Sequence, residues 1–156
     1  MRRKDREVAN ESDLINIIEQ CKVLRLAMQD QEGLYIVPLN FGYKYDNGQL
    51  TFYIHSAKQG RKIEALSDNE RVAFEMDCEH RLVEAKTACG YGYEYKSIIG
   101  NGIASFVEEY EVKKQALSLL MKHQTGKEFL FTQQEADMVT VIKIEAENFH
   151  GKCCKK

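Results

Sequence analysis

The sequence predicts a β-rich, mainly antiparallel fold: a small barrel of six or so strands with a few peripheral helices. Two observations carry that expectation. Runs rich in β-branched and aromatic residues are joined by hairpin-type turns. Helical stretches are too few, and wrongly placed, for a doubly wound parallel sheet. The chain has 156 residues, the size of one ordinary domain, so residues 1–156 are read as a single unit.

Asn10 or Ser12 caps a first helix, in which Leu14, Ile17, Ile18 and Cys21 recur on one face. Val23 to Met28 reads as a strand, a polar turn passes through Asp30 and Gly33, and Tyr35 to Tyr43 reads as the next strand. Asp46, Asn47 and Gly48 form a hairpin signal, because Asn and Gly tolerate the positive φ of a type I′ turn. It joins Leu39–Tyr45 to Leu50–His55. From His55 the chain changes to a polar turn with Gly60 and then to helix formers from Arg61 to Leu66, ended by Asp68 and Asn69. Val72 to Met76 is a strand, Asp77 to Glu94 is a polar stretch without defined structure, and Tyr95 to Val107 is a long strand. Glu108 to His123 reads as a helix with Leu117, Leu120 and Met121 on its apolar side, and Val139 to Ile144 as the last strand. His123 and His150 are expected at a helix end and in the tail, in solvated or capping roles.

Lys and Arg number 22 against 24 Asp and Glu, a net charge of −2. That balance supplies no field to draw the whole chain onto nucleic acid or an anionic membrane, so neither is an expected partner. No apolar run approaches the ~20 residues of a spanning helix, and the charged Met1 to Glu7 lacks an apolar stretch behind it. A cytoplasmic location follows as an expectation. Five cysteines, Cys21, Cys78, Cys89, Cys153 and Cys154, do not form a secreted disulfide framework and are expected to be reduced. Cys78, His80 and Cys89 have the wrong spacing for a zinc site, and no metal is expected.

Chemistry concentrates in His55-Ser56-Ala57-Lys58-Gln59-Gly60-Arg61-Lys62. A phosphate monoester needs several donors converging from one side. A turn feeding a helix N-terminus offers backbone N–H groups and a favourable dipole, and Gly60 leaves room for close approach. Arg61 adds a forked donor, Lys62 a point charge and Ser56 a hydroxyl. The same residues also fit a merely solvated first turn. A second stretch, Val37-Pro38-Leu39-Asn40-Phe41-Gly42-Tyr43, holds the only proline, which marks a strand edge or end, and Gly42 permits close approach by another group. It fits either a surface for a flat ligand or an irregular edge strand.

These segments, with Tyr95 to Gly102 and in this order, resemble the flavin-binding split-barrel superfamily related to pyridoxamine 5′-phosphate oxidase. The similarity is greatest to its nitroimidazole-resistance-like branch, which the opening Met1 to Val8 and the late Met121-Lys122-His123 also resemble. The resemblance implies a six-stranded split β-barrel binding FMN. Val37, Pro38, Leu39 and Asn40 would line the isoalloxazine, His55, Ser56 and Ala57 would lie over the cofactor, and Gly60, Arg61 and Lys62 would hold its phosphate. Tyr95 and Ser97, on one face of a strand by its period of two, would contact ring or ribitol. A homodimer with two flavin sites at the subunit interface is implied as well, and Lys152 is a possible contributor from the partner.

The chain departs from pyridoxamine phosphate oxidases proper. It lacks a basic residue at each end of the segment Val37 to Gly42, and no substrate-binding C-terminal region is recognisable within these 156 residues, so oxidation of pyridoxamine phosphate is not expected. The expected reaction is hydride transfer from NAD(P)H to FMN N5, then reduction of a small electron acceptor such as a nitroaromatic or quinone. His55 is the catalytic candidate, as a proton donor, or else it only orders the turn. The rival reading is a non-catalytic carrier or sensor of flavin or haem, and no glycine-rich NAD(P)H fingerprint argues against it.

Overall fold

Residues 3–155 are described in the computed structural model; Met1, Arg2 and Lys156, and with them part of the charged opening, lie outside the described residues. In chain order the elements are Glu7–Val8 (β1), Glu11–Gln20 (α1), Leu24–Asp30 (β2), Gly33–Leu39 (β3), Gly42–Asp46 (β4), Gln49–Ser56 (β5), Arg61–Asp68 (α2), Arg71–Val83 (β6), Gly92–Val107 (β7), Tyr110–Thr125 (α3), Gln133–Asp137 (α4) and Thr140–Cys154 (β8). Every strand pairing is antiparallel. The sheet runs β3-β2-β6-β7-β8-β5-β4, with β1 against the far end of β8.

The sheet wraps one core without closing. Leu24 and Leu26 of β2, Phe52 and Ile54 of β5, Phe74 and Met76 of β6, Ile98 of β7 and Ile142 of β8 belong to the same buried cluster. Phe41, Phe52 and Phe74 meet edge to face at centroid distances of 5.5 and 5.0 Å, each such pair adding about 0.5–1.5 kcal/mol beyond its buried area. α1 starts at Asn10, whose Oδ1 accepts from the Ser12 amide at 2.9 Å, and buries Ile17 and Ile18 beneath the barrel. The edges, β3 and β4, are consecutive in the chain and joined through Asn40 and Phe41, so the split lies between sequence neighbours. Pro38 sits on edge strand β3, where a missing N–H is tolerated.

The expected architecture is observed, with several corrections. Tyr35 to Tyr43 is not one strand, because the chain breaks at Asn40 and Phe41. Asp77 to Glu94 is largely a hairpin: β6 runs on to Val83 past a bulge at Glu79, which has φ +54°, and β7 begins at Gly92. The last strand runs ten residues beyond Ile144 to Cys154, held by β7 and β1. These breaks and additions give eight strands among the described residues. The short helix α4 was not expected, although Thr132 and Glu135 form a reciprocal capping box at its start.

A second, smaller core of Val107, Ala116, Leu117, Ala136 and Val141 holds α3 and α4 against the outer face of the sheet. Gly42 explains the closeness of that packing. A Cβ there would lie 2.3 Å from the Leu120 amide nitrogen. The group that Gly42 admits is the backbone of α3.

Candidate functional site

Strand β5 ends at Ser56, the turn Ala57 to Gly60 is exposed, and α2 begins at Arg61. Gly60 has φ +128°, a conformation open to glycine and strained for other residues. Helix α2 has no side-chain cap. Its first internal bonds run from the Ile63 and Glu64 amides to the Gly60 carbonyl, at 2.9 and 3.2 Å. The Arg61 and Lys62 amides precede them and point out of the helix end. That end is a ready anion cradle.

The two cations differ. Arg61 is already engaged: its Nε and Nη2 donate to Asp30 at 2.6 and 3.2 Å, Glu32 lies 3.4 Å away, and the guanidinium stacks on Tyr35 at 4.4 Å. The Arg61 hydrogen bond lowers the Asp30 pKa below the ordinary carboxylate value, and the same contact raises that of Arg61. Lys62 is half-buried, and desolvation alone lowers its pKa. Among the described residues no acidic group offsets that cost, so of the two cations Lys62 is the one without a carboxylate partner.

The other expected residues divide by strand face. Val37 and Leu39 pack partly buried against the main core, on the face of β3 opposite exposed Pro38. Ser56 shares a face with buried Ile54. His55 shares the opposite face with Tyr53 and with its cross-strand partner Val141, a residue of the smaller core. His55 and Ser56 therefore lie on opposite faces of β5. Tyr95 and Ser97 lie on the outer face of β7 with exposed Ile99, and the Lys152 ammonium sits 5.3 Å from the Tyr95 ring centre. Asn40 is tied down: its Nδ2 donates to the Lys22 carbonyl at 3.0 Å and to Gln124 Oε1 at 3.2 Å.

The outer face also carries an open, shallow cavity of about 550 Å³, lined by Arg25, Ala27, Ile36, Ala73, Ile99 and His150 among others. Ile36 and Ile99 are 63% and 53% exposed. No cluster among the described residues has the ligands for a metal, and no helix among them is long and apolar enough to cross a membrane.

An open antiparallel barrel with an uncapped helix start beside its split edge is a split-barrel architecture. The family model described as pyridoxamine 5′-phosphate oxidase matches residues 10–153, and the chain belongs to that family. Among solved structures it resembles a candidate 5-nitroimidazole antibiotic resistance protein from Bacteroides thetaiotaomicron. That match has 32% identity and a TM-score of 0.81, over 94% of this chain and 86% of the other. An FAD- and haem-binding protein from Mycobacterium smegmatis shares the fold at 15% identity and TM-score 0.82, over 97% and 74% of the two chains. An FAD-binding protein from Mesorhizobium loti does so at 24% identity and TM-score 0.64, over 96% and 98%. No curated protein matches the chain.

Proposed function

We propose that this chain binds FMN at the start of α2 and works as a homodimeric oxidoreductase, passing electrons from NAD(P)H to a small electrophile such as a nitroaromatic. The observation that carries the reading is Lys62: a half-buried ammonium with no compensating acid among the described residues, beside two outward amides and a positive-φ glycine. A phosphate monoester answers each of those needs at once. The match to a family of flavin oxidases and to a nitroimidazole-resistance-type structure supports the same class.

Bound FMN supplies the redox chemistry. The chain's own part is to grip the phosphate with Lys62, the α2 amides and the free edge of Arg61, and to offer the unpaired backbone edge of β3 from Val37 to Leu39 to the ring. Tyr95 and Ser97 face away from that group within one chain. A second copy seated on the apolar outer face brings such residues to the other subunit's flavin, and the exposed Ile36 and Ile99 support that contact.

Purification and turnover test the proposal together. A yellow protein with flavin absorbance that oxidises NAD(P)H when given a nitroaromatic is the expected result. A Soret band indicates haem instead. Colourless protein that binds no added FMN overturns the reading.

A further inference from the structure

His123 is buried, not solvated as its place near a helix end suggests. Its Nε2 lies 2.8 Å from the Cys21 carbonyl oxygen, which can only accept, so Nε2 carries the proton in the neutral ring. Nδ1 is then a bare acceptor, and it has no hydrogen-bond partner among the described residues. What it faces is another acceptor, Glu19 Oε2, at 3.7 Å. Glu19 Oε1 accepts from the Tyr43 hydroxyl. One proton at Nδ1 turns this mismatch into an unbroken chain from Tyr43 through Glu19 and His123 to Cys21.

The chain of contacts surrounds one corner of the fold. Phe41 lies tilted against the His123 ring at 4.6 Å, and Tyr43 meets it edge-on at 5.4 Å. The neighbouring Gln124 donates to the Phe41 carbonyl at 2.9 Å and accepts from Asn40. The end of α3 thus holds both residues linking β3 to β4.

We propose that His123 is a positioning residue for the Asn40–Phe41 corner, and that a proton taken up at Nδ1 closes its contact with the Glu19 carboxylate. The corner's importance for a flavin rests on the function proposed above; the proton clasp itself does not. The titratable and charged groups facing the ring are Glu19 of α1, Cys21 and Lys22 of the link to β2, and Tyr43 of β4. Lys22 donates to the His123 carbonyl at 2.7 Å and opposes a second positive charge. Burial is the largest influence and holds the His123 pKa below its ordinary value, while Glu19 pulls it up. The clasp therefore closes only below the ordinary histidine range.

The experiment is an NMR titration of the cofactor-free protein that follows the His123 ring and the Asn40 side-chain amide. The expected result is a His123 midpoint below the unfolded value of about 6.5, with the Asn40 amide moving at the same midpoint. Glu19→Gln lowers that midpoint by about half a pH unit, the scale of a partly exposed ion pair. Tyr43→Phe raises it, because the carboxylate loses a competing donor. An Asn40 amide that does not follow His123, a midpoint unmoved by Glu19→Gln, or a ring that stays neutral until acid unfolding overturns the clasp. Failure of wild-type protein to bind FMN removes the proposed function and leaves these outcomes standing.

Discussion

Arg61, the first residue of α2, and Asp30, the last of β2, face each other as a two-bond fork, Nε to Oδ2 at 2.6 Å and Nη2 to Oδ1 at 3.2 Å. The pair ties α2 to the β2–β3 hairpin and competes for the guanidinium that a phosphate would use. Asp30→Asn is expected to tighten FMN binding about two- to fivefold, the scale of a partly exposed ion pair, read by quenching of flavin fluorescence. The pair also has a pH signature. The Asp30 pKa is depressed in the folded chain, so its contribution to stability is present above the unfolded value of about 3.9 and is lost as pH falls through the folded value. Wild-type and Asp30→Asn melting temperatures should converge in acid.

Gly42 is a packing requirement. Its added Cβ would meet Leu119 and Leu120 backbone atoms at 2.3 to 2.6 Å, and helix backbone cannot yield as a flexible side chain does. Gly42→Ala is expected to cost about 1–3 kcal/mol, seen as a lower denaturant midpoint with unchanged slope.

The limits of sequence reading show in the same region. The close approach at Gly42 was legible, but the group approaching it was not, since that depends on where α3 folds back. His123 was legible in principle: Ala116, Leu117, Leu120 and His123 recur at helical spacing and are all buried. Counting Met121 instead of His123 on that face hid the buried imidazole. The hairpin at Asn47 and Gly48 and the strand, turn and helix from His55 to Leu66 could be read because local turn chemistry dictates them. Glu145 to Cys154 could not, because that polar run is a strand only through its pairing with β7 and β1.

Thiol reactivity should follow burial. Cys89 is exposed, Cys21 and Cys154 are buried, and burial pushes the Cys21 thiol far above its ordinary pKa. Cys89 is expected to react first with a disulfide reagent, and Cys21 only on unfolding. Mass spectrometry of partially labelled protein gives the order.

The outer face should be a subunit contact. Light scattering is expected to give twice the 18.0 kDa chain mass. Ile36→Glu, at a position 63% exposed in the single chain, is expected to yield a folded monomer with weakened FMN binding. A monomeric wild type contradicts the dimer.

The central claim, that Lys62 and the start of α2 hold a phosphorylated cofactor, is tested most directly by titrating FMN into wild-type protein and Lys62→Ala. A charge-assisted hydrogen bond is worth about 1.5–3 kcal/mol. The expected result is tight binding by the wild type and a dissociation constant raised about 10- to 100-fold in the variant, with the melting temperature of the cofactor-free protein unchanged. Equal affinity in the two proteins contradicts the account.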